Sequence, residues 1–115
     1  MKTSIITTLV SALVISFSAG AKAEQAITTA ELLSYCKGKD GAFVTCEIYG
    51  QAVYDTYLTM SADKLAPAMI CVKQPAPSRT EVIQAYVKWA DADPKTADQA
   101  AAQTILQFLA QRFPC

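Results

Sequence analysis

The chain has 115 residues, ten basic and ten acidic, with four cysteines and no histidine. Such a balance offers no basic patch for nucleic acid and no polybasic segment for an anionic membrane. The missing histidine removes His-ligated metals, Ser–His and Cys–His nucleophile pairs and the commonest general base together.

Residues 1–23 have the organisation of a secretory signal peptide. Lys2 supplies the positive start, residues 5–17 form an apolar stretch, and Ala21 and Ala23 stand where a signal peptidase reads small side chains. The stretch falls short of the about 20 apolar residues that a membrane span needs, and no basic stop-transfer cluster follows it. Cleavage after Ala23 leaves residues 24–115 as a single exported domain, with no second apolar run long enough to span a membrane. Losing Lys2 and Lys22 brings its net charge to −2.

Four helices are predicted in this part, an all-α bundle. Thr28 and Glu31 fit a capping box, in which the hydroxyl takes the N3 amide and the carboxylate returns to the N-cap amide. A short helix follows through Leu32, Leu33 and Tyr35 to Cys36. It stops at residues 37–41, where Gly38 and Gly41 are free to take positive φ. The second helix spans residues 42–60, with Phe43, Cys46, Gly50, Val53, Tyr54, Tyr57 and Leu58 on one face at steps of three and four. Gly50 costs it up to about 1 kcal/mol relative to alanine, which suggests the close approach of another helix. Residues 61–77 are irregular because Pro67, Pro75 and Pro77 remove backbone donors. Within them Met69, Ile70, Cys71 and Val72 look extended and inward-packed. Ser78 and Glu81 form a second capping box, opening a helix with Val82, Ile83, Tyr86, Val87 and Ala90 as its buried stripe and Trp89 beside it. Asp93 before Pro94 ends it. The last helix is predicted from Thr96 to Arg112, burying Ala101, Ile105, Phe108 and Leu109, with Leu106 and Phe113 widening that face.

An even number of cysteines behind an export signal marks a disulfide framework. Cys36, Cys46, Cys71 and Cys115 include no C-x-x-C pair, which argues against zinc and against a thioredoxin-like site. Four cysteines allow three pairings. The preferred one is Cys36–Cys46, across the glycine corner, with Cys71–Cys115 tying back the C-terminal end.

The acids Glu31, Glu47, Asp55, Asp63 and Glu81 are the candidates for acid–base work. Glu31 and Glu81 already serve as capping carboxylates, and Asp55, beside the stripe of the second helix, is the acid to examine for burial. Tyrosines 49, 54, 57 and 86 sit at helical spacing, where core packing is the ordinary role. No phosphate-cradling loop, nucleophile elbow or metal cluster is written here, so neither an enzyme nor a cofactor is expected.

With these pieces placed, the chain resembles the Rap/Tai-type immunity proteins, which protect bacteria from type VI secretion amidase toxins. The resemblance is carried by Thr28-x-x-Glu31-Leu32-Leu33-x-x-Cys36, by Cys46-x-x-Tyr49 with Asp55 beyond it, and by Ile70-Cys71-Val72. Asp93-Pro94 and the terminal Phe113-Pro114-Cys115 complete it. It implies a periplasmic helical protein, often a homodimer, whose loop fills the cleft of a peptidoglycan amidase where a Cys–His pair cuts peptide crosslinks. Two loops could do so, residues 59–77 and residues 91–96. The second is favoured, with Asp91, Asp93, Pro94 and Lys95 as partner-binding residues. The alternatives are a periplasmic binding protein for another partner and an acid-stress chaperone.

Overall fold

The computed structural model describes residues 25–115; the expected signal peptide lies outside them. Four helices follow in order: α1 (Thr29–Cys36), α2 (Gly41–Ala62), α3 (Arg79–Asp91) and α4 (Ala101–Arg112), with a 3-10 turn over Pro94–Thr96. No strand occurs among the described residues, and none of their helices is long and apolar enough to cross a membrane. The all-α expectation holds, closed by the preferred disulfides Cys36–Cys46 and Cys71–Cys115.

Helix α1 begins at the complete capping box: the Thr28 amide donates to Glu31 Oε2 at 2.8 Å and the Glu31 amide to Thr28 Oγ1 at 3.2 Å. Its other free first-turn amides find partners far along the chain. Thr29 N donates to the Gln99 carbonyl at 2.8 Å and Ala30 N to that of Ala97 at 3.1 Å, while Ala101 N donates back to Ile27 O at 2.9 Å. This cross-chain capping corrects the predicted start of the last helix. Residues 97–100 turn so that their carbonyls can satisfy α1, and α4 begins at Ala101 rather than Thr96.

The corner between α1 and α2 also departs from expectation. Neither glycine there takes a positive φ; Asp40 does, at φ 53°. Gly38 is there for space, since a Cβ would come within 2.7 Å of Ala42 Cβ, whereas one on Gly41 would meet nothing within 4 Å. Across this corner Cys36 and Cys46, both buried, join the first two helices.

Leu32, Ile83, Tyr86, Ala90, Ile105, Phe108 and Leu109 form the common core, and the predicted faces of α3 and α4 supply most of it. Tyr86 and Trp89 both pack against the Phe108 ring, with centroids 5.7 Å away in each case. Three hydroxyls sit within this core. Thr104 Oγ1 lies 2.8 Å from both Thr29 Oγ1 and Tyr86 Oη, and Thr29 Oγ1 reaches the Gln99 carbonyl at 3.0 Å. One proton per hydroxyl allows a run in which Tyr86 donates to Thr104, Thr104 to Thr29 and Thr29 to Gln99 O, with the Ala101 carbonyl at 3.1 Å as a second acceptor for the Thr104 proton.

Helix α2 is apolar on more than one side. Cys46, Gly50 and Tyr57 are buried, while Val44, Ile48 and Leu58 are exposed. Gly50 fits the expected close approach, for a Cβ there would meet Ile83 Cδ1 at 2.9 Å. The Tyr57 hydroxyl takes the amides of Met69 at 2.8 Å and Ile70 at 3.1 Å, fixing the irregular segment against α2. That segment alternates rather than packing wholly inward: Ile70 is buried and Val72 half-buried, while Met69 and Cys71 are exposed. A bridge between Ile70 and Pro114 and a bond from Cys71 N to Phe113 O at 2.8 Å align it with the C-terminal residues.

Candidate functional site

The exposed turn that follows α3 is built from its own sequence. Asp93 precedes proline and is therefore extended, at φ −124° and ψ 100°, which ends the helix. Its carboxylate then accepts the Lys95 amide at 3.0 Å, and Pro94 occupies the first position of the 3-10 turn. Thr96 anchors the far end. It is buried, and its hydroxyl is shared between the carbonyls of Ala90 at 3.0 Å and Asp93 at 2.8 Å. Asp91, Asp93, Pro94 and Lys95 are all exposed on this small rigid frame.

Sequence reading missed the contribution of α1 to the same place. Lys37, the C-cap residue of α1, reaches Asp91 Oδ1 at 2.7 Å, with both side chains about half exposed at 52% and 44%. Fifty-four residues separate the pair, so no local pattern announces it. Beneath them lies a depression of about 450 Å³ floored by Leu33, Ala90 and Thr96 and edged by Lys37, Asp91 and Asp93. The turn thus presents one carboxylate held by a lysine, one held by a backbone amide, and an ammonium at Lys95 between them and the next element.

The other candidate loop is shorter than expected, because α2 continues to Ala62. Its tip carries Lys64 at φ 59° and Leu65, which is 73% exposed. The disulfide at Cys71 and the Tyr57 hydroxyl hold its far side.

The remaining sequence candidates do not converge. Glu31 caps α1, Glu47 accepts from Thr80 Oγ1 at 2.7 Å, and Asp63 caps the end of α2. Asp55, which was to be examined for burial, is exposed and receives Gln51 Nε2 at 2.8 Å. The Ser78 hydroxyl takes the Glu81 amide at 3.1 Å, the serine half of the predicted box. No group of three or more acidic or cysteine side chains with metal-holding geometry occurs among the described residues.

The family model of the Rap1a immunity proteins matches residues 28–115, from the Thr28 cap to the second disulfide. No curated protein and no solved structure matches the chain.

Proposed function

From the premise that the chain belongs to the Rap1a immunity protein family, we propose that it is a periplasmic immunity protein that binds a type VI secretion peptidoglycan amidase and occludes its cleft. The turn carrying Asp91, Asp93, Pro94 and Lys95 enters that cleft. The observation that carries this reading is the way the turn is held: Thr96 ties its base, the Lys95 amide holds Asp93 and the Lys37 ammonium holds Asp91 before any partner arrives. A preorganised loop loses little conformational entropy on binding, which favours tight inhibition. Fixed carboxylates would meet cationic or amide groups around the toxin's nucleophile, and Pro94 would supply shape without flexible atoms. Blocking the cleft requires no bond-breaking chemistry from the inhibitor.

The test is survival of cells that express a periplasm-targeted candidate amidase together with this protein carrying its own leader. Protection that disappears when Asp91→Ala and Asp93→Ala are combined supports occlusion by this turn. Unchanged protection by the double variant assigns the contact elsewhere, to the loop around Leu65 first. Lysis despite abundant wild-type protein, across the candidate amidases tried, overturns the amidase reading. Light scattering of the purified protein, alone and with toxin, determines whether it acts as the homodimer common in the family.

A further inference from the structure

A second cavity, of about 230 Å³, opens between α2, α3 and α4 and shares no lining residue with the depression below the Asp91 turn. Its floor is made by Ile83, Ile105, Phe108 and Leu109, all core side chains. Tyr86 also lines it, but the Tyr86 hydroxyl is already engaged by Thr104 at 2.8 Å. Gln51, at the edge, has its amide nitrogen committed to Asp55. Tyr54 and Gln51 stand on the wall, and the floor itself offers water none of the two to four polar partners it needs, so a hydrocarbon guest displaces water that is poorly held there. The volume matches roughly seven or eight water-sized units at about 30 Å³ each, the bulk of a straight chain of about eight carbons.

The mouth is chemically different from the floor. Ala76 and Arg79 are the exposed lining residues, and Arg79 makes no ion pair among the described residues. Glu47, the carboxylate one turn before Gln51 on α2, is bonded to Thr80 Oγ1. An apolar shaft with one unpaired cation at its opening selects a guest with a hydrocarbon tail and an anionic head. We propose that this cavity binds a medium-chain alkyl carboxylate, with the tail between α2, α3 and α4 and the carboxylate on the Arg79 guanidinium. A cationic amphiphile of the same length would place like charges together at the mouth.

Octanoate, octanol and octyltrimethylammonium are the probes, each titrated below its micellar concentration into the oxidised protein. Calorimetry gives affinity, and methyl shifts of Ile83, Ile105 and Leu109 give location. Octanoate is expected to bind one to one, shift those methyls and outcompete the cationic probe. Arg79→Gln should weaken octanoate by about fivefold, the upper end for an exposed ion pair, while leaving octanol unchanged. Val82→Phe and, on a separate wall, Val72→Phe fill the shaft and should each weaken both octanoate and octanol by about tenfold or more, with the melting temperature confirming the fold. Silent methyls at millimolar octanoate, equal binding of the cationic probe, or indifference to Arg79→Gln would each overturn the proposal.

Discussion

Thr29 and Thr104, 75 residues apart in sequence, place their hydroxyl oxygens 2.8 Å from each other with neither side chain accessible. The contact belongs to the donor chain from Tyr86 to the Gln99 carbonyl, so it joins α1, α3 and α4 through groups that are costly to leave unpaired. A buried hydroxyl network of this kind specifies one arrangement of the three helices, where apolar packing alone would accept several.

Removing its middle member should therefore cost more than the small change in shape suggests. Thr104→Val is expected to lower stability by about 1–3 kcal/mol, because Tyr86 and Thr29 each lose a partner at a buried position. Adding Tyr86→Phe should return part of that loss, since the stranded phenol disappears. Urea melts of the two single variants and the double variant measure the coupling. Simple additivity would show that the network contributes nothing beyond its separate parts.

The same phenol makes stability depend on alkaline pH. Burial raises the Tyr86 pKa above its ordinary value, whereas a tyrosine in the unfolded chain ionises near about 10. Its contribution is complete below that unfolded value and is lost as pH rises through the folded one, because only the unfolded chain then readily gives up the proton. Tyr57 runs the opposite way: the Ile70 amide, its largest influence, lowers its pKa, so its ionisation favours the fold as pH rises. Melting temperatures between about pH 9 and 11.5 should fall in the wild type, fall less in Tyr86→Phe and fall more in Tyr57→Phe.

The two disulfides should respond to reductant in sequence. Cys71 and Cys115 are exposed, while Cys36 and Cys46 are buried between α1 and α2. Mild reductant followed by alkylation and mass spectrometry should label Cys71 and Cys115 first. Chain-entropy estimates assign about 4 kcal/mol to the bridge of separation 44 and about 3 kcal/mol to that of separation 10. Full reduction is thus expected to unfold the domain, and a melting temperature unchanged by strong reductant would contradict a structural role for either bridge.

At the α1–α2 corner the strained residue is an aspartate. Asp40 holds φ 53° and ψ −120° and makes no side-chain cap, a conformation that costs a residue with a Cβ about 1–3 kcal/mol. Asp40→Gly should raise stability by about 0.5–1 kcal/mol after the added entropy of the unfolded chain is counted. Gly38→Ala should lower it, as the new methyl meets Ala42, while Gly41→Ala should be near neutral. Thermal melts of the three variants rank the positions.

Lys37→Ala separates stability from recognition. The Lys37–Asp91 pair is half exposed, so its loss should cost below about 1 kcal/mol. Under the proposed role of the Asp91 turn, the same change frees one carboxylate and should weaken toxin inhibition more than it lowers the melting temperature. Proportionate changes in both would assign the lysine a purely structural part.

Much of this architecture was legible in the residue pattern. The α4 face is buried as expected, as are Ile83, Tyr86 and Ala90 of the α3 stripe with Val82 and Val87 half-buried beside them, and the Thr28–Glu31 box marked the start of α1. What the pattern could not carry were relationships closed through space. Helix α4 starts late because Ala97 and Gln99 serve α1, and Lys37 reaches the Asp91 turn from another helix. Thr104 did leave a trace, between Ala101, Ile105 and Phe108 on one helical face, but a hydroxyl among apolar residues reads as an interruption until its two partners are placed. The glycine corner misled for a different reason: Gly38 is required by a neighbour's methyl group, which backbone preference alone does not reveal.

Because the opening helix is completed by carbonyls about seventy positions downstream, its first turn is satisfied only once the segment leading into α4 is in place. A chain ending before Ala97 lacks both carbonyls that finish the first turn of α1. Removing the C-terminal segment would therefore strip the cap from the opposite end of the fold.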